Sequence, residues 1–458
     1  MNRLLFYSLI FLIPFFFGGC LTVGPDYKQP EFPSIGNSEF ETPADWWTTL
    51  GDPMLTELVG QALTNSPDIK SAMAAVRAAR AQLGMVRSSL GPQVDASGSF
   101  TRMKTSDDVY GTGNYDLYDA GFDASWELDI FGGVRRANEA AKAYLQGQDA
   151  SFSRVEVSLA AETAQAYVRL RGAQQLLFVA TENSKLQQET FDLLQSRFDS
   201  GLVNGLSLRQ AEANLGSTRA AVPQAATAVD QSLNALAVLT GNMPGTLHER
   251  LGEMKAIPVA TMADVTGIPA DLLRRRPDVR IAERALAEKT ARIGIAKSEY
   301  FPKLTLDGSI GVDALSFSGL SRSGNDSNSF GPSVSWAIFH SGSIRNNIKV
   351  QTAVQEQALA AYEKSVLSAV QETRDALTAF HNEQLRLNAL TDATDAARIA
   401  AELAGDRYQN GLEPFDIVLD SQRIQLQLEE QKVRSQSEST LSVIRLYKAL
   451  GGGWKMME

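Results

Sequence analysis

Residues 343–404 read SIRNNIKVQTAVQEQALAAYEKSVLSAVQETRDALTAFHNEQLRLNALTDATDAARIAAELA, with no proline and no glycine. Those two residues are the ones that interrupt helices, so a run this long without either predicts one continuous helix. At 1.5 Å per residue it is about 93 Å long. A second stretch, Val134 to Ser200, has no proline and only Gly147 and Gly172. It predicts a rod of about 100 Å. No compact 200-residue domain holds such a rod, so an elongated molecule is expected.

The two rods belong to a duplication. Asn65-Ser66-Pro67-Asp68 matches Arg275-Arg276-Pro277-Asp278 at an offset of 210 residues. The same offset pairs Gly84 with Gly294, Pro92 with Pro302, Ser125-Trp126 with Ser335-Trp336, Gly201-Leu202 with Gly411-Leu412 and Gly241 with Gly451. Chance does not hold one register over so long a span, so two copies of one unit are expected, 55–245 and 265–453. A linker, 246–264, joins them, a segment 20–54 precedes them and a tail 454–458 follows.

Each copy reads helix, strand, strand, long helix, turn, helix. Pro67 suits a helix start, and the Ala-rich run after it ends at Gly91-Pro92. Val94, Ala96, Gly98 and Phe100 then alternate with polar neighbours, as do Tyr118 to Leu128. The second copy repeats this over Leu304–Val312 and Phe330–Ile338, with polar turns expected near Asp107–Asn114 and Ser321–Asn328. Some ten alternating residues with an aromatic near the end fit a transmembrane β-strand, although soluble hairpins share that period. Returning helices are expected over Leu206–Thr240 and Phe415–Leu450. With the pre-strand helices laid end to end beside them they match the length of a rod. Pro223 in the first returning helix corresponds to Val433 in the second copy, and a local kink or repacking is expected there.

Composition removes other classes. The 458 residues carry 43 basic and 53 acidic side chains, a net charge of −10, which argues against a nucleic-acid partner. One cysteine and three scattered histidines, His248, His340 and His381, leave nothing for a metal cluster or a disulfide framework. At the N-terminus Arg3 precedes an apolar run from Leu4 to Phe17, then Gly18-Gly19 and Cys20. That is an export signal, 1–19, too short for a spanning helix. Ending on the sole cysteine, it resembles a bacterial lipoprotein signal, which implies an N-acyl and S-diacylglycerol lipid on Cys20. An ordinary signal-peptidase site is the alternative. No other cofactor and no metal are expected.

Four strands cannot close a barrel, and an open sheet edge is not tolerated in lipid. Three copies would give 12 strands and one shared barrel, continued by the helices as a tube. A fibrous coiled-coil rod is the alternative, but it leaves the inserted strands unexplained.

The residues that carry a family likeness now stand in order. Cys20 is followed by Val23-Gly24-Pro25-Asp26-Tyr27, then Trp46-Trp47 with Asp52-Pro53. Further on come Trp126 to Gly132, Arg274-Arg275-Arg276-Pro277-Asp278, and Gly451-Gly452-Gly453-Trp454. Together the chain resembles the TolC-like outer-membrane factors, and within them the lipoprotein efflux branch of NodT type. The resemblance implies an α+β membrane protein: a homotrimer with a 12-stranded outer-membrane β-barrel, four strands per chain, above a periplasmic α-helical coiled-coil tube. It implies an equatorial domain from residues around 27–55, 246–266 and the C-terminal end. It implies the outer membrane of a Gram-negative bacterium as the location, lipid-anchored and reaching into the periplasm. The partners implied are a periplasmic membrane-fusion adaptor and an inner-membrane resistance–nodulation–division pump. The function implied is that of a passive exit duct for drugs or other small molecules; a channel for type I protein or other secretion is the alternative.

The expected gate lies at the helix turns, Arg197 to Gly205 and Arg407 to Phe415. Gly201 and Gly411 suit the left-handed residue that ends a helix, and Pro414 suits the next start. Glu413, Asp416 and Asp420 make the second turn acidic, the last two four apart on one helical face. The resemblance implies acidic rings here, closed by links that involve Tyr408. Glu413 stands where an arginine is expected, so Arg407 or Arg197 are candidate substitutes; a solvated helix face is the alternative for Asp416.

Two rival classes remain. An outer-membrane hydrolase would need a carboxylate pair, and Asp107-Asp108 or Glu429-Glu430 are available; loop or exposed-helix solvation explains both. Gly111-Thr112-Gly113 lacks the strand–helix setting of a nucleotide loop. An adhesin or structural spacer would not need the strand pairs. No enzyme activity is expected.

Overall fold

Pro67 opens a helix where its missing N–H costs nothing, and Pro277 does the same in the second copy. In the computed structural model, which describes residues 22–31, 43–104, 114–259 and 270–452, the order of elements follows. Helix α1 is Pro53–Asn65, α2 Pro67–Ser88, then strands β1 Gln93–Lys104 and β2 Asn114–Leu128. The long α3 is Gly133–Asp199 and the returning α4 Gly205–Leu239. After the short α5 His248–Leu251 and α6 Ala270–Arg275 comes α7 Pro277–Ser298. Strands β3 Lys303–Ala314 and β4 Asp326–Ser335 precede α8 Ser343–Gln409 and α9 Phe415–Ala449. Adding 210 to the bounds of α2, β1, α3 and α4 gives those of α7, β3, α8 and α9 residue for residue.

Several expected details differ. The α8 rod does not stop at Ala404 but runs through Gly405 to Gln409, because one glycine costs only about 1 kcal/mol in a helix of 67 residues. Helix α4 runs unbroken from Gly205 to Leu239 with Pro223 inside it, where the sequence leads one to look for a kink or repacking. Strand β4 begins inside the expected turn, at Asp326, and ends at Ser335, so Trp336 and Ile338 lie beyond it. The Ile338 N–H bonds the Trp336 carbonyl at 3.0 Å, a turn too tight to continue a ladder. Phe317–Ser321 form a 3₁₀ turn between β3 and β4. Glu429 and Glu430 are half-buried rather than exposed, and Glu429 accepts a bond from Gln425 Nε2 at 2.8 Å. Cys20, Asp107-Asp108 and Gly111-Thr112-Gly113 lie outside the described residues.

The chain forms two compact units, each drawn from both copies. The first gathers the N-terminal segment to Glu31 with Ala75–Asp149 and Arg280–Lys364. It holds one antiparallel sheet of order β1-β2-β3-β4. The register sets Val94 opposite Ala124, Phe122 opposite Ile310 and Gly308 opposite Phe330, so the middle of one face is apolar, with the Arg102–Asp116 pair towards one end of it. The strap Thr22–Tyr27 is pinned to the same unit by Arg136, whose buried guanidinium bonds the Val23 carbonyl at 3.1 Å and Asp26 at 2.7 Å. Gly24 there has φ +100°, and a Cβ on it would meet the Gly294 Cα at 2.4 Å. Tyr27 donates to Glu283 at 3.0 Å.

The second unit gathers Phe32–Ala74, Ala150–Val279 and Ser365–Glu458. Its core collects Trp46 and Leu50, α1 through Leu55, Leu58 and Val59, α3 from Ala160 to Leu170, Leu247 to Ile257, and Val433 to Tyr447. Trp46 stacks on Tyr447 at 5.2 Å. Within that core sits a buried polar chain. Asp52 caps α1, accepting from the Met54 and Leu55 N–H groups, and also accepts the Tyr167 hydroxyl at 2.6 Å. Arg171 donates to Tyr167 Oη at 3.2 Å, to Gln174 at 2.7 Å and to the Glu253 carbonyl at 2.9 Å. Arg276, also buried, reaches Asp278 at 2.7 Å, Glu372 at 2.5 Å and the Ala449 carbonyl at 2.8 Å.

Burial, with the Asp52 bond, pushes the Tyr167 phenol up to about 12. The folded state holds the phenol's proton more tightly than the unfolded chain does, so this contribution is full below pH 10 and fades as pH rises to about 12. Tyr167→Phe leaves Asp52 and Arg171 each short of a partner and should cost about 1–3 kcal/mol. Thermal melts at pH 8 and pH 12 should show that deficit large at the first and small at the second.

Candidate functional site

Helices α3 and α8 end in the same left-handed turn. Gly201 has φ +72° and Gly411 +71°. The Leu202 N–H bonds the Arg197 carbonyl at 2.8 Å and the Leu412 N–H bonds that of Arg407 at 2.9 Å, which caps the last turns. Asn204 then caps α4 by accepting from the Ser207 N–H at 3.0 Å, while Pro414 opens α9 without a side-chain cap.

The two turns share a core of Leu194, Leu208, Ala211, Ala404, Phe415 and Val418. Tyr408 packs on it, 5.3 Å from Phe415, with the Arg197 guanidinium over its ring at 4.8 Å. The Tyr408 hydroxyl is buried without a hydrogen-bond partner in the described chain. Arg407 pairs with Glu413 at 3.0 Å, and Asp420 with Arg423 at 2.5 Å. Asp416 is exposed and pairs with no described cation. The structure thus brings Arg197, Arg407, Tyr408 and Glu413 together, with Asp416 and Asp420 on one open face of α9. Sequence reasoning missed Arg423, although its i+3 spacing from Asp420 is a legible signal.

The sheet has a second feature that the sequence reading passed over. Opposite its apolar face, Asp95 stands across from Asp123, and Asp119 across from Asp313. Ser97 donates to Asp123 at 2.7 Å, and Asp307 accepts from Ser125 at 3.0 Å and Ser333 at 2.7 Å. The signal was present in the residues between the apolar ones. On the other face Val94, Phe100, Phe122, Ile310, Phe330 and Val334 are all exposed, far too much contiguous apolar surface to leave in water. Among the described residues β1 pairs only with β2, and β4 only with β3, so both outer edges are open there. No helix among the described residues is long and apolar enough to cross a membrane.

An apolar-outside, polar-inside sheet joined to paired long helices defines an outer-membrane channel subunit. The outer membrane efflux protein family matches residues 58–242 and again 268–452, and the chain belongs to that family. It is 31% identical to the solvent efflux pump outer membrane protein SrpC of Pseudomonas putida, over 96% of this chain and 97% of the relative. It is 30% identical to nodulation protein T of Rhizobium leguminosarum bv. trifolii, over 96% and 97%. Among solved structures, the outer-membrane channel OprN superposes with a TM-score of 0.89 at 35% identity, over 94% of this chain and 99% of that one. The Campylobacter jejuni CmeC outer membrane channel gives 0.89 at 25% identity, over 95% and 96%. The chain is therefore an outer-membrane protein of efflux.

Replacing Gly411 by Ala puts a Cβ on a left-handed residue with open space around it, so only backbone strain opposes it. The cost should be about 1–2 kcal/mol, confined to the tip. Hydrogen exchange should speed at Asn410–Leu412 and stay unchanged in α1.

Proposed function

We propose that three copies of this chain form the exit duct of a tripartite efflux system, passively conducting small molecules from an inner-membrane resistance–nodulation–division pump and a periplasmic adaptor across the outer membrane. The open edges of β1 and β4 carry the proposal. Each unpaired backbone group in hydrocarbon costs several kcal/mol, so β4 of one copy must pair with β1 of the next. Twelve strands are enough to close a ring. The acidic face with Asp95, Asp119, Asp123, Asp307 and Asp313 then lines the lumen, and the apolar face meets lipid. Relatives named for solvent, toluene and antibiotic efflux favour small-molecule export over protein secretion. Such a duct needs no catalysis and no cofactor.

The helix tips form the periplasmic gate in this reading. Three copies place Asp416 and Asp420 in rings of three carboxylates, which attract cations. Tyr408, with its buried hydroxyl lacking a partner in the chain, is poised to bond a neighbouring copy. Arg407 and Arg197, already set against Glu413 and Tyr408, hold the turns in shape. Gly201 and Gly411 make the turns. Native mass in mild detergent should be three times that of residues 20–458, and a folded monomer would defeat the duct. In planar bilayers, Asp416→Ala with Asp420→Ala should lower cation preference and divalent-cation block. Unchanged values in an intact trimer would move the gate elsewhere.

Cys20 carries the N-acyl and S-diacylglycerol lipid in this proposal. The barrel already holds the trimer in the membrane, so the lipid serves targeting and assembly. Cys20→Ser should abolish incorporation of radioactive palmitate; label that persists would end the lipoprotein assignment.

A further inference from the structure

The duplication supplies an internal comparison where strands give way to long helices. In the first copy this junction is closed. Asp129 accepts from the Val134 N–H at 3.1 Å, the Arg135 N–H at 2.8 Å and Arg135 Nε at 3.1 Å. Phe131 stacks on Phe301 at 4.6 Å. The strap lies across it, the Val23 N–H bonding the Phe131 carbonyl at 3.1 Å, and Arg136 is buried beneath.

The second copy keeps the frame and loses the closure. Trp126 Nε1 donates to the Leu90 carbonyl at 3.0 Å, and Trp336 Nε1 donates to the Tyr300 carbonyl at the same 3.0 Å, 210 residues on. Phe339 stands in the place of Asp129, and it has no carboxylate with which to hold the next turn or neutralise a cation. Arg345 takes the place of Arg135, and Lys349 that of Glu139. Trp336, Ile338 and Phe339 are 59%, 83% and 84% exposed. Arg345 and Lys349 are exposed too, and neither pairs with a described carboxylate.

We propose that this second junction, Trp336 to Lys349, is a phospholipid-binding collar: Trp336, Ile338 and Phe339 sit at the boundary of the acyl layer, and Arg345 and Lys349 hold head-group phosphates. The proposal rests on the sheet being in the membrane, and it extends that reading to a particular edge. Four observations support a lipid occupant. Trp336 and Ile338 follow β4 directly and keep the alternation of Phe330, Pro332 and Val334 in the sequence, so the exposed apolar residues run on past the last rung of the ladder. Past Phe330 and Val334 the chain presents Trp336, Ile338 and Phe339 and only then Arg345 and Lys349, which is the order of acyl chain, interface and phosphate. Arg345 and Lys349 are four apart and share one helical face. Ser343 to Lys349 spans about 9 Å of helix, comparable to the polar layer of about 5–8 Å on each side of a bilayer. The first junction has no such surface, because its own strap and Asp129 already occupy it.

The test uses full-length protein with a nitroxide label on Phe339→Cys or, separately, Phe330→Cys, and the unlabelled parent as blank. Each is reconstituted into phosphatidylcholine vesicles with and without phosphatidylglycerol, and relaxation by oxygen and by a nickel chelate reports depth. Both labels should be reached by oxygen, with Phe330→Cys deep and Phe339→Cys at head-group depth. Adding Arg345→Gln and Lys349→Gln should lower the preference for phosphatidylglycerol by roughly fivefold per cation. A label at 339 reached freely by the nickel chelate, or shielded from both reagents, overturns the collar while leaving the membrane-embedded sheet intact if the 330 label stays deep. A water-exposed 330 label instead overturns the membrane reading itself, and the collar with it. A preference that millimolar inorganic phosphate abolishes, or that the double substitution leaves unchanged, overturns the lipid head group as the ligand of these cations.

Discussion

A backbone N–H or carbonyl without a partner costs little in water and several kcal/mol in hydrocarbon. Everything distinctive about this chain follows from carrying four strands that have an apolar face and two unmatched edges. The sheet cannot be both membrane-embedded and monomeric. Duplication is an economical answer: a single helix–strand–strand–helix–helix unit, used twice per chain, reaches closure with few copies. The 210-residue identity of element bounds shows how strictly the two uses are kept in step.

The helices that accompany the strands are held by another kind of interaction. In the second unit, small residues such as Ala160, Ala161 and Ala164 let helices approach, while buried cations lock particular segments in place. Arg171 ties the 251–253 backbone to α3, and Arg276 ties α7 to the end of α9. These two are not copies of one another: the position 210 after Arg171 is His381, and that before Arg276 is Ser66. The duplicated frame is symmetric, and the polar locks are where symmetry is broken. An isolated buried guanidinium is costly, so each lock is specific to the one place where carbonyls and carboxylates converge on it.

Much of this was legible in the sequence. Proline and glycine spacing gave α3 and α8 to within a few residues, because long helices offer many consistent signals. The repeat offset carried β1 onto β3 residue for residue, while β4 is shorter than its partner β2 at both ends. What was missed has local physical causes. Strand β4 ends before Trp336 because a tight turn at Ile338 removes it from the ladder, and that turn leaves no pattern in the residues. The turn pairs of Arg407 with Glu413 and Arg197 with Tyr408 depend on how the last helical turn is wound. The acidic face of the sheet was readable from the same alternation that revealed its apolar face, once both parities are followed.

The equal lengths of α3 and α8, 67 residues each, have an evolutionary corollary. Their tips share one small core, so the two rods act as a vernier. Inserting a single residue in one rod would advance its tip by about 1.5 Å and turn it by about 100°, withdrawing Leu194 or Ala404 from that core. Drift in length is therefore barred from the rods and diverted to the segments between β3 and β4 and between the two copies. Relatives of this chain should differ in length at those places long before they differ in the length of either rod.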